Sequence, residues 1–262
     1  GGFEGSGLAQ DYLSLFCKNN HIFVAGAPGY LAAQNEILWN VPQEFVNTES
    51  YGASNFLVMA IAFGGSGNSM AQGFCDPSWY GTSNGWGCMH ARQQFSEKFN
   101  FVQGNSTDKR TALWLTEKAG WNITNETYDK LQDGYLPIKF TNVECNPDGT
   151  MNYYTDSKTG LTRAGLPNPA STSFVDTDYP VIRLAEVYLN YAEAMFELNN
   201  RIDNADLKWL NEVRKRVNPN MTELSNELVN ANGLSMREEI RRERAVELFL
   251  EGFRIDDLKR WA

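Results

Sequence analysis

Apolar and polar positions follow two different rhythms along this chain, and the change falls near residue 180. Beyond it, Leu184, Val187, Tyr188, Tyr191, Met195 and Leu198 recur at i, i+3, i+4, i+7, i+11 and i+14, which predicts one apolar helical stripe. Pro180 stands where such a helix can begin, and Asn199-Asn200 closes it. A second helix is expected from about Asn204 to Arg216, with Leu207, Leu210, Val213 and Val217 as its stripe and Pro219 as its stop. A third starts after Ser235, which forms a capping box with Glu238, and runs to about Glu251 before Gly252. A short last helix spans Ile255–Trp261. Consecutive helices with a short link suggest one tetratricopeptide-like hairpin.

Before residue 180 the helical rhythm is weak. Leu8–Phe16 reads as a short helix, Glu36–Val41 and Phe56–Phe63 as strands, and Gly64-Gly65 stops the second of them. Gly64–Cys88 is a Gly- and Ser-rich loop carrying Phe74, Trp79, Tyr80 and Trp86. A helix is expected over about His90–Phe99 and a shorter one within Thr107–Lys118. Residues 141–178 are turn-rich and read as irregular, with a hairpin expected around Asp148-Gly149. The fold expected is mainly α: a tetratricopeptide-like helical layer packed with an irregular, loop-rich region and a few short strands. It divides into an aromatic-rich, ligand-presenting region 1–178 and a helical region 179–262.

Composition narrows the function. Hydrophobic residues make up 42% of 262 positions, enough for a core without staples. The net charge of −9 argues against nucleic acid or anionic lipid as the main partner. The longest apolar run, Phe56–Phe63, falls far short of the roughly 20 residues of a membrane helix. No leader is read in the opening residues. Cys17, Cys75, Cys88 and Cys145 make no Cys-x-x-Cys pair and only His21 and His90 accompany them, so no zinc site and no other metal or cofactor is expected. A Cys75–Cys88 bridge is open if the compartment is oxidising. The histidines sit in no recognisable catalytic motif, and Gly64-Gly-Ser-Gly67 lacks the residues of a phosphate loop.

Four segments, in order, resemble the C-terminal signature of the SusD/RagB family: Tyr179–Ala194, Leu210–Arg216, Ile240–Leu248 and Glu251–Trp261. Asp11–Phe16, Asn35–Trp39, Gly85-Trp86 and Asp108–Arg110 are similar to the family's middle region. The resemblance implies a surface protein of the bacterial outer membrane that captures oligosaccharides and hands them to a SusC-like TonB-dependent transporter. Some members handle peptides instead. Such proteins usually carry an N-terminal lipid-anchored cysteine, earlier helical repeats and a tail. None of these is read here, so the chain is expected to be a fragment or a short member.

Two sets of residues are candidates for function. Asp76, Trp79, Tyr80, Asn84 and Trp86 combine rings that stack on sugar C–H faces with polar partners for hydroxyls, on a loop. The competing account is that the rings, Trp86 and Phe74 above all, anchor the loop to the core. The second set is charged: Arg183, Glu193, Arg214, Glu243, Arg244, Glu247 and Arg254. On the third helix Ile240, Glu243, Glu247 and Glu251 share a face, so carboxylates occupy core positions. A glycosidase would use two carboxylates roughly 5–9 Å apart. The favoured account is structural Arg–Glu pairing, because nearby arginines hold carboxyl pKa values down, whereas a catalytic acid needs the opposite shift. The sequence therefore points to non-catalytic capture of an oligosaccharide. The alternatives are a peptide-binding member, a glycoside hydrolase using Glu243 or Glu247, and a helical interaction domain whose ligand site lies elsewhere.

Overall fold

The computed structural model of the chain describes residues 7–9, 11–17, 36–42, 93–99, 108, 110, 114–115, 136–137, 139, 146, 153–155, 162–164 and 178–262. Helices dominate the C-terminal part: α2 (Leu184–Asn199), α3 (Lys208–Val217), α4 (Asn226–Ala231), α5 (Met236–Glu247) and α6 (Arg254–Trp261). α1 is a single turn, Gln93–Ser96, continued as a 3-10 turn over Glu97–Phe99. No helix among the described residues is long and apolar enough to cross a membrane.

The helical layer is built on one apolar cluster. Leu189 and Ala192 of α2, Leu207 and Leu210 at α3, Val229 of α4, and Met236 and Ile240 of α5 close on Ile202, Leu224 and Leu248. The α3 stripe is buried as its spacing predicts, with Leu207, Leu210, Val213 and Val217 fully enclosed. On α2 the buried face is a different one from that expected. Ala185, Leu189 and Ala192 point inward, while Val187, Tyr191 and Leu198 are exposed, Leu198 by 80%. The small alanines let α2 pack closely on α3 and α5. The tyrosines suit the outside, where Tyr188 stacks on Trp209 at 4.8 Å and Tyr191 donates to Asp206 at 2.8 Å.

Local signals explain the helix ends. Asn200 closes α2 in the left-handed region. Asn211 on α3 bonds both the carbonyl (3.0 Å) and the amide (2.8 Å) of Leu224 and so fixes the link to α4, a helix not expected from the sequence. Ser225 caps α4 by accepting from the Leu228 amide. Ser235 caps α5 by accepting from the Glu238 amide at 3.4 Å, but the Glu238 carboxylate turns to Arg241, so only half of the capping box forms. Replacing Ser235 with Ala is expected to cost about 0.5–1 kcal/mol, measured by urea unfolding, the low end of the usual range because the bond is long and exposed.

Three sequence expectations are corrected. Pro180 does not open a helix; it lies in strand β6 (Tyr179–Arg183), opposite Asn40 of β1 (Ile37–Val41). The fixed φ of proline also suits extended chain, and among the described residues β6 pairs only with β1, so it is an edge strand, where proline is tolerated. Within Thr107–Lys118 the pair Trp114–Leu115 forms strand β2 against β3 (Leu136–Pro137), in a stretch whose residues alternate Thr, Leu and Trp and favour a pleated surface. In the turn-rich stretch β4 (Tyr153–Thr155) pairs antiparallel with β5 (Thr162–Ala164), while the hairpin expected around Asp148-Gly149 lies outside the described residues. Of the expected Leu8–Phe16 helix, only a 3-10 turn over Leu13–Phe16 forms. The Phe56–Phe63 strand, the Gly64–Cys88 loop, both histidines and the Cys75–Cys88 pairing lie outside the described residues. Cys17 is buried, with its Sγ 3.1 Å from the Ser14 carbonyl.

β1 and β6 tie the N-terminal part to the helices. Their antiparallel register shifts between Ile37 and Trp39 and again before Asn40. Such bulges re-aim side chains, and here Arg183, at the strand-to-helix junction, is fully buried. The ribbon's far end is clamped by Asn40 donating to Asp178 at 3.0 Å. Beside the layer, Phe95 and Phe99 pack on Phe249, with centroids 5.1 and 6.0 Å away, and dock α1 against the end of α5.

Candidate functional site

The most unusual feature of the interior is that its centre is charged. α5 turns Glu243 and Glu247 into the core with no exposure, and they meet guanidinium groups from three other segments. Arg110 bridges Glu243 (2.6 Å) and Glu247 (3.1 Å), while its other edge grips Asp108 at 2.7 Å. Arg214 of α3 reaches the second Glu243 oxygen at 3.0 Å. Arg183 contacts Glu247 at 2.6 Å, Glu36 at 2.8 Å and Glu251 at 2.6 Å. Arg216 bridges Glu36, at 2.5 Å, and Glu247. Lys139 closes the cluster on Glu251 at 2.6 Å.

Among the described residues the cluster holds five cations (Arg110, Lys139, Arg183, Arg214, Arg216) and five carboxylates (Glu36, Asp108, Glu243, Glu247, Glu251), with the Arg242–Glu239 pair at its edge, where Arg242 lies 3.6 Å from Glu243. An unpaired charge removed from water costs several kcal/mol, so this equality is what makes the burial tolerable. Planar guanidinium forks suit it because each can serve two or three carboxylate oxygens at once.

The way α5 ends builds half of the cluster. The sequence predicts a helix to about Glu251, but the helix stops at Glu247. Leu250 (φ 60°) and Gly252 (φ 89°) take left-handed conformations, and the chain folds back so that Glu251 meets Arg183 and Lys139. The carbonyls released at the helix end are taken by side chains. Glu247 O accepts from Tyr12 Oη and Arg183 Nη2, both at 2.8 Å, and Phe249 O accepts from Lys139 Nζ at 2.6 Å. Cations at this end also complement the helix dipole. Above them Lys139 lies 4.0 Å from the centre of the Phe16 ring, and Arg216 lies 5.1 Å from that of Tyr12.

These surroundings set the ionisation. Burial alone would raise the carboxyl pKa values, but Arg110, Arg214 and Arg242 outweigh it at Glu243 and hold that group down at about 2. At Glu247, Arg216, Arg183 and Arg110 outweigh burial further and hold the carboxyl well below the ordinary range. Burial lowers Lys139 to about 8 against the pull of Glu251. Burial and the neighbouring Glu247 and Glu251 push Tyr12 well above its ordinary value. Glu243 and Glu247 are thus anions near neutral pH, held by the guanidinium groups of Arg110, Arg183, Arg214 and Arg216. Protonating a leaving group would require a proton that neither holds near neutral pH.

Of the charged residues singled out in the sequence, Arg183, Arg214, Glu243 and Glu247 meet in this cluster. Glu193 and Arg244 belong to a second one, where Arg244 reaches Asp257 at 2.7 Å and Arg260 joins Asp257 (2.9 Å) to Glu193. Arg254 makes no ion pair among the described residues; its guanidinium lies over the rings of Trp261 (5.6 Å) and Phe95 (5.9 Å). Asp76, Trp79, Tyr80, Asn84 and Trp86, together with Phe74, lie outside the described residues.

Sequence reasoning missed Glu36, Asp108, Arg110, Lys139, Arg216 and Tyr12 as cluster members. All but Lys139 lie in the segments that carry the family resemblance, Asp11–Phe16, Asn35–Trp39, Asp108–Arg110 and Leu210–Arg216. The resemblance is in large part the signature of one buried charge cluster.

Comparison with known proteins follows the same line. The profile of the SusD family matches residues 56–262. The starch-binding protein SusD of Bacteroides thetaiotaomicron is 28% identical over an alignment spanning 94% of this chain and 44% of that protein. Among solved structures, a SusD homolog from the same species superposes with a TM-score of 0.52 at 18% identity, over 97% of this chain and 45% of that one. Surface glycan-binding protein A, also from Bacteroides thetaiotaomicron, superposes with a TM-score of 0.50 at 20% identity, over 98% and 46%. The chain spans less than half the length of each of these proteins. With a profile match over most of its length and a shared fold, the chain belongs to the SusD family.

Proposed function

We propose that this chain captures oligosaccharides at a bacterial outer-membrane surface, without cleaving them, for delivery to a SusC-like TonB-dependent transporter. The observation that carries the reading is the 28% identity, across nearly the whole chain, to a protein named for starch binding. The charged cluster supports the non-catalytic half of it. Glu243 and Glu247, the carboxylates a hydrolase would have used, are sealed from solvent and locked on arginines. Their role is to hold the scaffold, and the ligand contacts are assigned to the aromatic loop with Asp76, Trp79, Tyr80, Asn84 and Trp86. Two rigid rings offer large contact area at small entropic cost, the economical way to hold a flexible glycan weakly. Weak capture serves uptake, because the transporter must be able to take the ligand away.

The test is an affinity gel containing starch or another glycan, with released sugars assayed in the same samples. The parent chain is expected to be retarded, and the Trp79→Ala, Tyr80→Ala variant to bind about tenfold more weakly, a loss of roughly 1.4 kcal/mol. Release of sugars by the parent would overturn the non-catalytic reading. Equal retardation of both proteins would remove the loop from the site.

A further inference from the structure

A cavity of about 330 Å³ opens between α5, α6 and the turn after α1, and its walls are strongly cationic. Lys98, Arg241, Arg242 and Arg254 line it together with Trp261, and Glu238 is the one acidic side chain among them. Part of this charge is already matched. Arg241 lies 3.4 Å from Glu238 and 3.6 Å from Glu197, and Arg242 lies 2.9 Å from Glu239 and 3.6 Å from Glu243. Lys98 and Arg254 have no carboxylate within ion-pair distance among the described residues, so they form the surplus. In the central cluster, by contrast, cations and carboxylates balance.

The cations are held in place by rings. Arg241 and Arg254 lie over Trp261 at 4.9 and 5.6 Å, and Arg254 also lies 5.9 Å from Phe95. A guanidinium that rests on a ring by its face keeps its edge donors for an acceptor in its own plane, and its ordering is complete before a ligand arrives. The cavity lies in the size range of small-molecule sites. We propose that this pocket binds the carboxylate of an acidic sugar residue. The sugar part of the assignment rests on the saccharide-capture reading above; the oxyanion part rests on the pocket alone.

The test is calorimetric titration of the whole chain with D-galacturonate, D-galactose and inorganic sulfate, on the parent and on Arg254→Gln and Lys98→Gln. Lys98→Gln leaves the ring contacts intact, so it reports on charge even if Arg254→Gln disturbs packing. Galacturonate is expected to bind and galactose not. Binding should weaken at least tenfold in each variant and fall as ionic strength rises. Absence of both galacturonate and sulfate binding, or binding indifferent to both substitutions, would overturn the pocket. Binding of sulfate without galacturonate would overturn the acidic-sugar assignment. The Trp79→Ala, Tyr80→Ala variant run in parallel separates the two readings. Failure of the parent on neutral-glycan gels with galacturonate binding intact would count against capture through the loop and leave the oxyanion pocket standing.

Discussion

Replacing Glu247 with Gln is expected to cost about 3–5 kcal/mol of folding stability, the range seen when one partner of a buried ion pair is removed. The substitution is nearly isosteric, so no cavity accounts for the loss. It leaves Arg110, Arg183 and Arg216 around an amide that carries no charge and turns a donor toward one of them. The balance of five cations and five carboxylates becomes five against four. Urea unfolding followed by far-UV circular dichroism measures the change. A loss below about 1 kcal/mol would place Glu247 among surface pairs in energetic terms, against its full burial. A cycle with Arg216→Met tests the mechanism, because removing a cation as well should recover part of the loss, and the shortfall from additivity is the coupling of the pair.

Acid should unfold the protein through the same cluster. The Glu243 carboxyl stands at about 2 in the folded chain against an ordinary 4.5, and Glu247 is depressed further. A group whose folded pKa is depressed gives stability that is fully present above its unfolded value and lost as pH falls through its folded one. The loss is therefore expected between about pH 4.5 and 2, and at ~1.4 kcal/mol per unit the Glu243 share is on the order of 3 kcal/mol. Stability measured by urea at a series of pH values should fall steeply across that window, and a Glu243→Gln variant should show a shallower slope there. Lys139 slopes the same way in an alkaline window, because burial penalises its charged form until the proton leaves. Its folded value of about 8 lies below the ordinary 10.5, so its contribution to stability rises with pH between those values. Tyr12, raised in the fold, stabilises below about pH 10 and loses that contribution above it.

The parts of this architecture legible in the sequence are those where a single local rule decides. The α3 stripe, the Ser235 cap and the final helix each follow from spacing or capping, and the structure has them. Where two rules competed, the sequence misled. α2 has apolar residues on two faces, and the larger, aromatic one drew the eye although small alanines are what let neighbouring helices approach. Gly252 predicts the stop of α5, because glycine is the usual signal. The actual stop, at Glu247, depends on Tyr12, Lys139 and Arg183, which arrive from far away in sequence. The carboxylate face of α5 was legible, but its partners Arg110 and Lys139 were not, since no local pattern announces a contact across more than a hundred residues.

That separation has a consequence for how the chain reaches its native state. Glu36 must wait for Arg216, 180 positions later, and Tyr12 waits 235 positions for the carbonyl of Glu247. Contacts of such span require large loops to close before they repay the entropy, which slows folding and concentrates it in a late step. During synthesis the carboxylates of Glu36 and Asp108 are expected to wait for α5 to emerge before the cluster can close. The α2–α3 hairpin, whose contacts are local, is expected to form first and the buried charges last, an order that φ-values at Leu189 and Glu247 would check.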